Sequence, residues 1–263
     1  MHLRRLLVAA IILPLIYLFI MHMSAEYFLI LLILVSLLAM SEFYSMYRVT
    51  GALRYSGLLG GVLVLGTSYI SKEYTLDVLM LFVVALMSIR LMIKSGPSSS
   101  LRDISPAALG LLYIPCLFAF QTQIRKLGPE WIIYLYAVVW ASDTMAYYIG
   151  KGMGKRRLYE TVSPNKTVAG AVGSLIGGMT AALLLKTLMV QNLETSTALF
   201  IGIMIGAICV IGDLVESMFK RDAGVKDSST LIPGHGGILD KIDGALFAGP
   251  FLFWTLKFTG IMK

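Results

Sequence analysis

Between Asp213 and Asp243 the chain concentrates six of its 15 acidic residues, in a polar stretch flanked by two of its most apolar segments. A carboxylate in hydrocarbon costs about 2.5–3.5 kcal/mol even on a lenient insertion scale, so this density demands a partner for the charge. Asp213, Glu216, Ser217 and Lys220 follow the i, i+3, i+4, i+7 spacing of a single helix face. Asp213 lies about six residues, or about 9 Å, from the polar end of its segment. Its partner is either Lys220, two turns along, or a metal ion. Asp240 and Asp243, three apart at the start of the next apolar segment, point the same way from a helix N-terminus. Acids there also cap helices and offset the macrodipole. Two of them beside Asp213 make a carboxylate cage of the kind Mg²⁺ accepts, with water and substrate oxygens completing its shell. Asp143, in the middle of WASDTMAYYIG, either joins that cage or hydrogen-bonds between helices.

The basic and glycine-rich segments suggest phosphate as the other reactant. In SPNKTVAG, Ser163 suits a helix N-cap and Pro164 the first turn, which leaves free amides facing an anion and Lys166 to hold it. The plainer alternative is a capped helix with a snorkelling lysine. Gly150, Gly152 and Gly154 follow an apolar segment instead of a strand, so they support neither a P-loop nor a dinucleotide fold. Lys155, Arg156 and Arg157 read as positive-inside anchors. Gly234, Gly236 and Gly237 surround His235 and allow close backbone approach to a phosphate. His235 fits a hydrogen bond to that phosphate or to its own loop better than a general base, because a phosphate oxygen is already ionised near neutral pH.

The stretch from Ser217 to Asp243 resembles the signature of the phosphatidate cytidylyltransferases, or CDP-diacylglycerol synthases. Ser217, Phe219, Lys220, Arg221, Lys226, Asp227, Pro233, His235, Gly236, Gly237, Asp240 and Asp243 fall at the family's spacing, and SPNKTVAG resembles its second motif. Two positions depart: Lys241 replaces an Arg, losing the planar fork for bidentate phosphate contact, and Ala169 replaces a Glu. The resemblance implies that CTP and phosphatidate give CDP-diacylglycerol and diphosphate with Mg²⁺, with room for a second cation, in a homodimer. On this reading catalysis falls to Asp213, Asp240, Asp243, Lys220 and Arg221, and metal ligation to Asp213 and Asp240, then Asp243 and Asp143. Substrate contacts fall to Ser163, Asn165, Lys166, Thr167, Ser217, Lys226, Asp227, His235, Gly236, Gly237 and Lys241. Two rival readings are a CTP-dependent polyprenol or dolichol-type lipid kinase and an ion-coupled transporter.

These residues must be positioned by membrane helices. With 57% hydrophobic and 14% charged residues among 263, and a mean hydropathy of +0.81, the sequence is too apolar for a soluble domain. At roughly 20 residues per span it predicts an all-α, polytopic bundle of about nine transmembrane helices, near 6–22, 27–47, 56–70, 76–93, 104–121, 131–150, 168–190, 196–219 and 240–260. The third, short and glycine-containing, is the weakest. All but Lys72, Arg125, Lys126, Lys186, Lys257 and Lys263 of the 22 lysines and arginines fall on the N-terminal side, which predicts a cytoplasmic N-terminus and site in a cytoplasmic (inner) membrane. The polar linker 94–103 divides four helices in 1–100 from five catalytic ones in 101–263. Motif loops 151–167 and 220–239, two spans apart, open on one side. The excess of 22 basic over 15 acidic groups suits anionic lipid and nucleotide, and no nucleic-acid module is present. Cys116 and Cys209, inside apolar runs, read as buried hydrophobes.

Overall fold

Apolar runs of helical length dominate the chain, and in the computed structural model, which describes residues 14–93, 96–231 and 236–262, they become helices. After a helical stretch at 14–22 come α1 (Ala25–Met46), α2 (Gly51–Ile70), a 3₁₀ turn (Lys72–Tyr74), α3 (Thr75–Ile93), α4 (Ser100–Tyr113) and α5 (Pro115–Leu127). The C-terminal half holds α6 (Pro129–Met153), strands β1 (Arg157–Tyr159) and β2 (Ser163–Thr167), α7 (Val168–Leu188), α8 (Thr195–Asp222) and α9 (Leu239–Phe258). Among the described residues, six helical stretches are long and apolar enough to cross a membrane, α4 and α5 counting together as one of 28 residues. The outer surface is apolar too: Ile70, Leu91 and Phe258 are about four-fifths exposed, the inverse of a water-facing surface. This is a multi-pass membrane protein. Of the expected first span, 6–22, only the part from residue 14 lies within the described residues.

A single apolar core runs from Ile20 to Leu256 through both halves, with Phe43, Tyr44, Leu111, Phe118, Leu135 and Leu246 fully buried. Where side chains are absent, backbones meet. A Cβ on Gly178 would lie 2.2 Å from the Gly202 carbonyl oxygen, and one on Gly212 would lie 2.8 Å from that of Asp243. Small residues therefore set the α7–α8 and α8–α9 distances, as expected where lipid supplies no hydrophobic drive between helices. The glycine-rich third span is one continuous helix of 20 residues. Its Gly57, Gly60 and Gly61 receive Tyr44, Phe82 and Met40 respectively.

The expectation of an all-α bundle holds for nearly all of the described residues; the departure is one antiparallel hairpin, β1 and β2, in the first motif loop. Consequently Ser163 is no N-cap. Residues 163–167 are extended against β1, and α7 starts at Val168 with the Thr167 hydroxyl accepting from the Gly170 N–H at 3.1 Å. Pro164 is tolerated because every strand of a two-stranded ribbon is an edge. The span expected at 104–121 lies within the apolar stretch Ser100–Leu127, which is built of two helices broken at Ile114, since Pro115 brings no N–H and fits the first position of a new helix.

Candidate active site

Gly212 brings the C-terminal part of α8 against the start of α9, and this contact assembles the carboxylates. Oxygens of Asp213, Glu216 and Asp243 lie within 4.8 Å of one another. Glu216 and Asp243 form a buried base, 1% and 9% exposed, whereas the Asp213 side chain is 45% exposed at the mouth. Asp143 of α6, accessible at the surface, lies within electrostatic range of Asp213, Lys166 and Lys241. The cluster thus has a closed floor and an open side.

Two lysines neutralise part of it. Lys166, at the end of the hairpin, places Nζ 2.6 Å from Asp213 Oδ2. Lys220, buried one turn after Glu216, contacts the Glu216 carboxylate and lies 2.6 Å from Asp240 Oδ1. Ser217 adds a hydroxyl to Asp213 Oδ1 at 3.3 Å. With every group ionised, the carboxylates of Asp213, Glu216, Asp240 and Asp243 outnumber the two ammonium groups by two. That excess equals the charge of one divalent cation. An all-oxygen donor set of this charge suits Mg²⁺, so the residues fit such an ion, with Asp213, Glu216 and Asp243 as the converging donors.

Asp240 faces elsewhere. Besides Lys220, it accepts at Oδ2 from the Gly237 N–H (2.7 Å), the Ser228 N–H (3.2 Å) and the Ser228 hydroxyl (2.9 Å). It joins the cluster through Lys220, while Asp243 reaches it directly. Gly236, at φ +82°, and Gly237 do make a close backbone approach, but to carboxylates of the protein: a Cβ on either would sit about 2.5 Å from Asp240 or Glu42 oxygens. Arg221 is exposed and donates to the carbonyls of Val162 (3.3 Å) and Val225 (3.1 Å), tying the second motif loop to the first. Ser163 is partly exposed; Asn165, Lys226, Asp227 and Lys241 are exposed; and Thr167 is buried as a helix cap. His235 lies outside the described residues. Gly154 packs on Thr167 and the Gly150 carbonyl, a steric use of the GKGMGK glycines.

Two acids in this region were not selected from the sequence. Glu216 lay on the recognised helix stripe yet received no role. Glu42 is a lone acid near the polar end of α1, and the cost of an acid in an apolar span was the available signal.

The fold and this cluster define a polytopic membrane protein with a polar centre suited to phosphate and a divalent cation at one end of its bundle. The sequence pattern of the cytidylyltransferase family matches residues 3–259, and the chain belongs to that family. A phosphatidate cytidylyltransferase of Staphylococcus saprophyticus is 40% identical over 153 residues, 58% of this chain and 59% of its own. One of Bacillus subtilis is 34% identical over 184 residues, 69% of this chain and 68% of its own. One of Staphylococcus haemolyticus is 39% identical over 153 residues, again 59% of its own length.

Proposed function

We propose that the chain is a phosphatidate cytidylyltransferase, converting CTP and phosphatidate to CDP-diacylglycerol and diphosphate. The observation that carries this reading is the Asp213–Glu216–Asp243 cluster, paired with lysines and set at one end of a lipid-exposed helical bundle. The relatives' names point the same way. An oxygen of the lipid phosphate forms a bond to the α-phosphorus of CTP as the bond from that phosphorus to the bridging oxygen of the β-phosphate breaks, and diphosphate leaves. The attacking oxygen is already ionised, so no side chain removes a proton. Catalysis is then a matter of holding two polyanions together. Mg²⁺, held by Asp213, Glu216 and Asp243, would supply charge neutralisation for the phosphates. Lys166 and Lys241 at the mouth orient phosphate oxygens, and buried Lys220 fixes Glu216 and Asp240. Room for a second cation, a homodimer, and a site on the cytoplasmic side of the inner membrane complete the proposal.

The test is incubation of the purified protein and phosphatidate with CTP labelled at the α- or the γ-phosphorus. Lipid labelled only from the α position supports the synthase. Label from γ alone makes the protein a lipid kinase, and substrate-dependent ion flux without CTP makes it a transporter. Crosslinking in the membrane tests the dimer.

A further inference from the structure

The helix that carries Asp240 and Asp243 has no cap of its own. Ile238 precedes α9 without a side-chain cap, so its first amides need an outside acceptor. That acceptor comes from nearly 200 residues away. Glu42 of α1, only 6% exposed, accepts at Oε1 from the Ile238 N–H (2.9 Å) and the Ser229 hydroxyl (2.6 Å). Its Oε2 accepts from the Leu239 N–H (2.9 Å) and the Ser228 hydroxyl (3.0 Å). A carboxylate has about four acceptor positions. On Glu42 three are filled by the Ile238 and Leu239 amides and the Ser229 hydroxyl, and the fourth faces the Ser228 hydroxyl, whose single proton is shared between Glu42 and Asp240, each within 3.0 Å. Gly237 leaves room for the arrangement, since a Cβ there would meet Glu42 Oε2 and Ser228 Oγ at under 2.5 Å.

We infer that Glu42 is a positioning residue for the proposed reaction: it fixes the 228–229 turn and the first turn of α9, and through them the placement of Asp240, Lys220 and Asp243. The N-terminal helices thereby contribute to the site. This inference rests on the activity proposed above. The negative charge also lies at the positive end of the α9 dipole, where a carboxylate is favoured.

Glu42→Gln separates positioning from filling space. Each Glu42 oxygen faces one backbone N–H, so whichever becomes the amide nitrogen of Gln presents a donor to a donor. Full-length Glu42→Gln and Glu42→Ala, purified in nanodiscs, are assayed with CTP and phosphatidate, and amide exchange is followed at Ile238 and Leu239 and in α6. The expected result is a fall in kcat of about 30-fold in both variants, the rate equivalent of one lost hydrogen bond to a charged group. Exchange at Ile238 and Leu239 should rise at least about tenfold, with α6 unchanged. A Gln variant that keeps wild-type turnover and exchange overturns the inference, as does faster exchange throughout α6. If neither variant folds, Ser229→Ala removes one donor from the other side of the contact. It should lower kcat and loosen the same two amides, and no change in either overturns the inference. Should the wild type transfer no α-label, the proposed reaction fails, while the exchange comparison still decides whether Glu42 holds α9.

Discussion

Burial separates the roles of residues with the same charge. Glu216 and Asp243 lie on the floor of the cluster and Asp213 at its mouth, so each contributes charge to the same point from a different depth. Asp213→Asn, Glu216→Gln and Asp243→Asn should each lower turnover by on the order of 100-fold, with a higher Mg²⁺ requirement. Activity measured across a Mg²⁺ titration checks this; unchanged half-saturation in all three removes the cluster from consideration as a metal centre. The two lysines should differ in another way. Lys220 lies buried between Glu216 and Asp240, and Lys220→Met leaves both acids uncompensated, at a cost of about 3–5 kcal/mol. Lys166 pairs with the half-exposed Asp213, where an ion pair contributes about 0–1 kcal/mol. Lys166→Met should therefore fold normally and lose activity, whereas Lys220→Met should unfold at markedly lower temperature. Thermal unfolding in detergent, beside the activity assay, distinguishes the two.

At the scale of elements, glycines decide how closely helices approach, and the sign of a substitution depends on which glycine is changed. Gly212→Ala puts a methyl 2.8 Å from the Asp243 carbonyl oxygen and 3.2 Å from the Phe247 ring. It should cost about 1–3 kcal/mol and lower activity by parting Asp213 from Asp243. Gly66→Ala in α2 meets nothing within 4 Å and should instead stabilise by about 0.5–1 kcal/mol. Unfolding midpoints of the two variants against wild type should move in opposite directions. Hydropathy made the helices legible, and the i, i+3 spacing made Asp213 and its stripe legible. What it could not convey is pairing between distant segments. Lys220 stood as the alternative partner for Asp213, yet Asp213 meets Lys166 of the hairpin and Lys220 meets Glu216 and Asp240. The hairpin itself was hidden because Ser163-Pro164 reads equally well as a helix start, and only β1 across the turn makes the extended form the better one.

At the scale of the whole molecule the two ends of the bundle have different chemistry. The site end gathers the carboxylate cluster, its lysines and the exposed cations Lys151, Lys155, Arg156 and Arg157 of the hairpin region. At the far end three lysines lie against aromatic rings, Lys72 over Phe253, Lys126 over Tyr69 and Lys257 over Trp254, each about 5 Å from the ring centroid, and Arg125 is buried on the Ile20 and Met23 carbonyls. At the site end Lys151 makes the same kind of contact with Tyr147 at 5.7 Å. Such aromatic and lysine pairs suit a membrane–water boundary. The greater number of exposed cations at the site end is what supports, by the positive-inside rule, the proposal that this end faces the cytoplasm. The orientation is testable at two exposed positions separated by the single helix α7: Thr161 in the hairpin turn and Asn192 in the α7–α8 loop. Native Cys209 is fully buried and Cys116 partly so, so the unaltered protein serves as the control for a membrane-impermeant maleimide. In intact cells Asn192→Cys should label, and Thr161→Cys only after the membrane is opened. The opposite pattern inverts the protein and moves the site outside. Labelling of both from the same side means that α7 does not cross, and with it falls the separation of the bundle into a catalytic end and an anchoring end.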